Sequence, residues 1–535
     1  MQAHANREPY ARIRTVTAVL FEVLLPTSID RRSASIDSVI TGPHSATSSM
    51  AHSEGADTSL PERVSYARLN FDILACIMAC VHEREDLLSF MFTCSVLYAA
   101  GVPLLLRRFP RCIHAKSLWP FNKFLLSNAP ASFSALRILC FSYQHDKHRE
   151  DPIVGSQDRA IVANILQQAT RLECLALHKK YLGQSGHSDD AVARAIASLT
   201  ALRRLALGGS CDNQTRSILT QLQSPIWLLA VEFLESTDVL PLLANFCHTL
   251  RHAEISSAKF LSSSAPYPHL GYLELSRCSQ LRLSVLGPAF PALKLFVVST
   301  VDTRVGEVST DAMREENLQF QQGRSTPVWK LSGLIADLES LYILCLQFQV
   351  PGLTVTRSDP ETYNDLTWLH DSMAYLQPQV FQIRGLSESC YPTDLSDFFN
   401  RDKMSELARV TICSELSDED FEYHEYMIML VDDLTVALAG FNSDGFKLIL
   451  AVHAFGKCRD FLDGLDVDPL ARIIMDMIPA VEVVEFECVG HVKRTRRWLR
   501  HNQDGVTEVS PSDYYEPITA EELWACYREL YGTDP

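Results

Sequence analysis

The sequence predicts an α/β chain in which a short helical hairpin near the amino end precedes a long stack of strand–helix units. Three observations carry this expectation. Two apolar stripes at helical spacing lie between residues 60 and 110. A Leu-x-x-Leu-x-Leu pattern recurs behind them. Helix-like segments separate several of its recurrences. Composition agrees: with 47% hydrophobic and 21% charged residues in a chain of 535, a large core can form, which excludes a disordered tail or a coiled coil. The formal charge of −17 disfavours non-specific binding to nucleic acid or anionic membrane. Fifteen cysteines, none in a Cys-x-x-Cys pair, fit neither a disulfide scaffold nor a zinc module and are expected as reduced thiols.

Residues 1–60 are expected to be disordered. Their one apolar run, Val16 to Leu25, is too short to span a bilayer and is broken by Glu22. Arg7, Arg12 and Arg14 precede it as in a leader, but Pro26 follows where a small-residue cleavage site belongs. Met50 is a candidate start. No later window approaches 18 uninterrupted apolar residues, so a soluble protein of cytoplasm and/or nucleus is expected, with neither membrane nor nucleic acid as partner.

The helical domain is bounded at 64–113. Ile73, Ile77, Cys80 and Val81 recur along one helix face; Asp86 is expected to cap a second helix carrying Leu87, Phe90, Met91, Cys94, Leu97 and Tyr98. Gly101 is expected as a left-handed stop, with Pro103 opening a third element over Leu104 to Arg107. Three such helices are too small to be stable alone and need a partner.

This segment resembles an F-box of the fungal type. The matching positions are Leu69, Asp72, Ile73, Leu74 and Ile77, then Asp86, Leu87 and Leu88, then Cys94; Thr93 to Gly101 follows the fungal variant. Asn70 stands where the family has proline, which weakens the helix start; Met78, Thr93 and Leu97 or Tyr98 replace its phenylalanine, valine and tryptophan. The resemblance implies binding to the adaptor subunit of a cullin-type ubiquitin ligase, and through it to the cullin scaffold. The contacts would be Leu69, Ile73, Leu74, Ile77, Leu87, Leu88 and Cys94. The alternative is a helical subdomain packed on the following repeats.

Residues 114–500 are expected to form an irregular leucine-rich-repeat-like solenoid. From Leu172 the cores Leu172-Leu175-Leu177, Leu202-Leu205-Leu207, Ile226-Leu229-Val231, Leu250-Ala253-Ile255, Leu270-Leu273-Leu275 and Leu293-Phe296-Val298 start 30, 24, 24, 20 and 23 residues apart. Leu136-Leu139-Phe141 precedes them, and Leu341-Leu344-Leu346, Leu407-Val410-Ile412 and Val481-Val484-Phe486 follow. Helices are expected over Asp158 to Gln168 and Asp189 to Leu199, each opened by its acidic residue. Val301 to Gln322 and Thr354 to Asn364 read as loop insertions, and Ser417 to Glu425 as an acidic, solvated helix start. Residues 501–535 form the capping helix region, with a Thr519–Glu522 capping box.

Catalytic, cofactor and metal sites are not expected. There is no Gly-x-Ser-x-Gly elbow, and Gly440 to Lys447 lacks the lysine and hydroxyl of a phosphate loop and reads as a turn. His145 and His148 have no third ligand nearby. Lys493, Arg494, Arg496, Arg497 and Arg500, with His491, form the one basic cluster: either a docking patch or import signal, or a solvated helix with Trp498 and Leu499 turned inward. The expected function is that of a substrate receptor, holding an unknown protein target on the solenoid. The alternative is a repeat scaffold with no ligase connection.

Overall fold

The computed structural model describes residues 70–509, apart from 142–153, 183–190, 300–308, 357–371, 388–398, 400–406, 417–422 and breaks of one to three residues. The expectations for residues 1–60, Leu69, His145, His148, His491 and the Thr519–Glu522 box lie outside the described residues. The molecule is mixed α/β and divides into two compact units, Met1–Arg111 with Leu125–Ile138, and Cys112–Phe124 with Leu139–Pro535.

The first unit contains α1 (Phe71–Cys80), α2 (Arg84–Met91) and α3 (Ser95–Arg108); α4 (Ala115–Ser127) follows in the chain, and α5 (Ala131–Ala135) packs on α3. Asn70 does not weaken the start of α1. Its Oδ1 accepts the Asp72 N–H at 2.9 Å, the ordinary service of an N-cap asparagine. The second expected helix is two. The chain turns at Phe92–Thr93, and Cys94 is the N-cap of α3, while Asp86 lies in the first turn of α2 behind the N-cap Glu83. Gly101 does not stop a helix, and Pro103 does not start one; both lie inside α3. A Cβ at Gly101 would overlap Met91 Cγ and meet Met78 Cε at 2.7 Å, so the glycine lets α3 approach α1 and α2. Arg108, at the end of α3, donates to the carbonyls of Val81 (2.8 Å) and Ala79 and closes the end of α1.

Among the described residues the sheet has sixteen strands in chain order. It begins with β1 (Arg111–Ile113) and β2 (Ile138–Phe141), the latter on the core Leu136-Leu139-Phe141. Then come β3 (Cys174–His178), β4 (Arg204–Gly208), β5 (Leu228–Asp238), β6 (His252–Lys259), β7 (Tyr272–Ser276) and β8 (Leu295–Ser299), one on each regularly spaced core. After them come β9 (Gly333–Asp337), β10 (Gly352–Thr356), β11 (Val380–Ser387), β12 (Arg409–Leu416), β13 (Phe446–Ala454) and β14 (Val481–Val489). From β3 to β14 every neighbouring pair is parallel. One buried side chain per strand stands in register along this run: Leu175, Leu205, Leu229, Ala253, Leu273, Phe296, Leu334, Leu353, Phe381, Val410, Leu448 and Val484. A second buried row, two residues on, runs from Leu177 to Phe486. The two apolar residues of each Leu-x-x-Leu-x-Leu core are therefore steps of two continuous ladders.

Helices α6 (Ser156–Gln168), α7 (Ala191–Ala197) and α8 (Asp212–Gln221) pack on one another in sequence. So do α9 (Leu283–Ala289), α10 (Thr310–Gln322) and α11 (Leu338–Leu344). Asp158 does not open α6 as an N-cap; Gly155 does, and the Asp158 carboxylate accepts the Gly155 N–H at 2.9 Å. Two expectations fail in this region, and a third fails in part: of the loop insertion expected at Thr354 to Asn364, Thr354 to Thr356 belong to β10 and the rest lies outside the described residues. Leu341-Leu344-Leu346 is not a strand: Asp337, fully buried, accepts the Ser340 N–H at 2.7 Å and turns the chain into α11. The strand comes earlier, on Leu331-Leu334-Ala336. Spacings of three fit a helix face as well as the start of a core, and here the cap decides. Nor is Val301 to Gln322 only an inserted loop, since it holds α10, opened by Ser309. Asn317 of α10 is fully buried. It accepts from Leu283 N–H (2.7 Å) and donates to the carbonyls of Leu281 and Ile343 (both 2.9 Å), joining three segments.

The far end departs from the parallel order of the preceding strands. Helix α12 (Tyr423–Leu438) packs on α14 (Asp468–Met477), with the short α13 (Cys458–Gly464) before it. Past β14 the chain doubles back as β15 (Lys493–His501) and β16 (Gly505–Val509), both antiparallel. Residues 493–501, weighed as a solvated helix, are thus a strand.

Candidate docking face and polar sheet face

Helix α1 turns two kinds of residue in opposite directions. Met78 is buried against α3, whereas Ile73 (56% exposed), Cys76, Ile77 (43%) and Cys80 are exposed. Those four stand at i, i+3, i+4 and i+7, so they form a continuous stripe on one helix face. With Asp72 they line a shallow apolar groove of about 400 Å³. Among the other residues that the F-box resemblance assigns to adaptor contact, Leu74, Leu88 and Cys94 are half-buried. Leu87 is fully buried, so it holds α2 in the unit and presents nothing to a partner.

The five cations of the basic cluster are engaged within the molecule. Lys493 pairs with Glu487 at 2.6 Å and Arg494 donates to the Leu462 carbonyl. Arg496 lies 3.5 Å from Asp466 and over the Trp498 ring. Arg497 pairs with buried Glu485 (2.6 Å), which Lys447 also reaches (2.7 Å). Arg500 donates to the carbonyls of Val481 (3.0 Å), Ile478 (3.1 Å) and Met475, closing the carboxy end of α14. Each of the five thus has a partner in β14, β15 or the helices beside them, while Lys493 stays 58% exposed.

A second polar constellation, absent from the sequence reading, sits on β6 and β7. Alternation along a strand places His252, Glu254 and Ser256 on the face opposite the buried ladders. Tyr272, Glu274 and Ser276 lie directly beside them in register. The His252 and Tyr272 rings stack at 4.0 Å and 8°. His252 Nε2 meets Glu254 Oε1 at 2.9 Å, the Tyr272 hydroxyl donates to Glu274 Oε2 at 2.8 Å, and the two serine hydroxyls bond each other. Glu232 of β5, in register with Ser256, pairs with Arg277. Burial first, and then the charge of Glu254, push the Glu274 carboxyl above the usual carboxylate range, against the opposing effects of Tyr272 and His252. The internal likeness of His-x-Glu-x-Ser and Tyr-x-Glu-x-Ser, 20 residues apart, was the available signal. Reading the repeats for leucine alone passes over it.

Several cysteines serve as small apolar groups. Cys140, Cys174 and Cys488 are buried strand residues, and burial raises the Cys174 and Cys488 thiols to about 11. Cys413 is half-buried in β12, and Cys345, expected in or beside a strand, instead ends α11 at φ +43°. Among the described residues, no group of three or more His, Cys, Asp or Glu is placed to hold a metal ion, and no helix is long and apolar enough to cross a membrane. A scan against protein-family models finds no match, and a search of curated proteins finds none either.

Proposed function

We propose that the chain is a substrate receptor of a cullin-type ubiquitin ligase. In this reading α1–α3 form an F-box-like hairpin that docks the adaptor, and the strand array is an irregular leucine-rich-repeat-like solenoid that holds the target. The supporting observation is the outward stripe Ile73, Cys76, Ile77 and Cys80. Burying an isoleucine side chain is worth about 1.5–3 kcal/mol, so a helix presenting two of them beside two thiols gains substantially from a partner groove. The receptor makes and breaks no bond itself. It raises the effective concentration of target lysines near ligase-bound ubiquitin.

One observation favours the second reading, a repeat scaffold with no ligase connection: the full burial of Leu87 narrows the face available to an adaptor. A single co-purification separates the two. The wild-type chain retains the adaptor at roughly micromolar concentration, and Ile73→Asp with Ile77→Asp releases it while circular dichroism and melting stay unchanged. Both positions are exposed, so the variant tests docking without opening the core. A wild-type chain that leaves the adaptor behind at that concentration overturns the receptor reading.

A further inference from the structure

The β6–β7 face has the chemistry of a receptor for one kind of side chain. Glu254 and Glu274 stand directly opposite each other on strands whose backbones lie about 4.8 Å apart. Glu254 is 4% exposed. One of its oxygens meets His252, and the other, Oε2, is buried with no hydrogen-bond partner. Glu274 is half-buried and holds one oxygen to the Tyr272 hydroxyl. Glu232 adds a third carboxylate in the neighbouring strand, and its cation, Arg277, is already paired with it. A folded chain does not keep two adjacent carboxylates, one with an orphaned oxygen, for the stability they bring.

We propose that this face binds an arginine side chain of the protein held on the strand array. The proposal rests on the reading of that array as the part that holds a partner. A guanidinium is planar and carries five N–H donors, so it can bridge two carboxylates and still supply the donor that Glu254 Oε2 lacks. An ammonium is a strongly hydrated point charge without that fork. The rings of His252 and Tyr272, stacked on each other, bound the pair at the amino ends of the two strands.

The test uses the full chain and a short Gly-Ser peptide with one central arginine, read by saturation-transfer NMR against the same peptide with citrulline. Citrulline keeps the shape and removes the charge. The arginine peptide binds about tenfold tighter or better, and Glu254→Gln and Glu274→Gln each lose that advantage with the fold intact by circular dichroism. Binding weakens as acid protonates Glu274, from a pH above the ordinary carboxylate range. Equal binding of the two peptides, no binding, or binding unchanged in both glutamine variants overturns the proposal. So does displacement of the peptide by calcium chloride at matched ionic strength, which would mark a metal site. The ligase reading stands or falls separately. Ile73→Asp with Ile77→Asp leaves peptide binding unchanged, and the glutamine variants still retain the adaptor.

Discussion

At Glu485 three strands contribute to one buried charge. Arg497 faces it across the antiparallel pair, and Lys447 reaches it from β13. Burial alone would raise this carboxyl, but the hydrogen bonds and charges of Lys447 and Arg497 outweigh burial and hold it below its usual range. A depressed folded-state pKa means that the pair contributes stability above the ordinary carboxylate pKa. That contribution is lost as pH falls through the lower folded value. Glu485→Ala strands two cations at a buried position and costs about 3 kcal/mol near neutral pH, measured by urea denaturation. The difference from wild type shrinks on acidification. Glu274 runs the other way: its raised pKa makes ionisation destabilising, so Glu274→Gln melts higher than wild type at neutral pH, and the gain disappears in acid. Stability gained by removing a charged group is expected where that group serves binding.

At the scale of elements, α3 shows how one small residue sets the packing of two helices. Gly101 sits where α3 meets the methionines of α1 and α2. Gly101→Val forces Met91 and Met78 aside and costs about 1–3 kcal/mol, read as a lower urea midpoint for the first unit. The outward stripe of α1 depends on that packing, so under the proposed receptor reading the variant also weakens adaptor retention. The hairpin was legible as apolar residues at helical spacing, yet periodicity could not tell which side of α1 faces inward. Ile73, Ile77 and Cys80 read only as one apolar face of a helix, and the structure leaves that face exposed. Gly101 and Pro103 misled for a related reason. Both are punctuators in isolation, but a close approach requires the glycine, and the proline is carried in the interior of the helix.

Across the whole molecule, consecutive strands pair with their sequence neighbours throughout. Such an array resists unfolding through nearest-neighbour terms, and a chain of two compact units adds a second source of non-cooperativity. Calorimetry is expected to give a van't Hoff enthalpy well below the calorimetric one; equality of the two would indicate a single cooperative unit. The formal charge of −17 makes moderate salt stabilising overall, while the buried Glu485 group responds little to it.

The strand cores from Leu136 to Val298 are legible in the sequence, since apolar residues two apart mark half-buried strands and from Leu172 onward they recur at regular spacings. The sequence could not place the strand at Gly333–Asp337, because Leu341 and Leu344 serve equally well on a helix until Asp337 caps it. It found the five cations at 493–500 but not their fate. Whether a cation is free depends on carbonyls and carboxylates brought from residues 447–487 by folding. The Glu254–Glu274 pair is the same case in reverse. Twenty residues separate the two in the chain, and only the register of β6 with β7 makes them neighbours. Local period is written in the sequence; which charges meet is decided by strand register, a property of the tertiary fold.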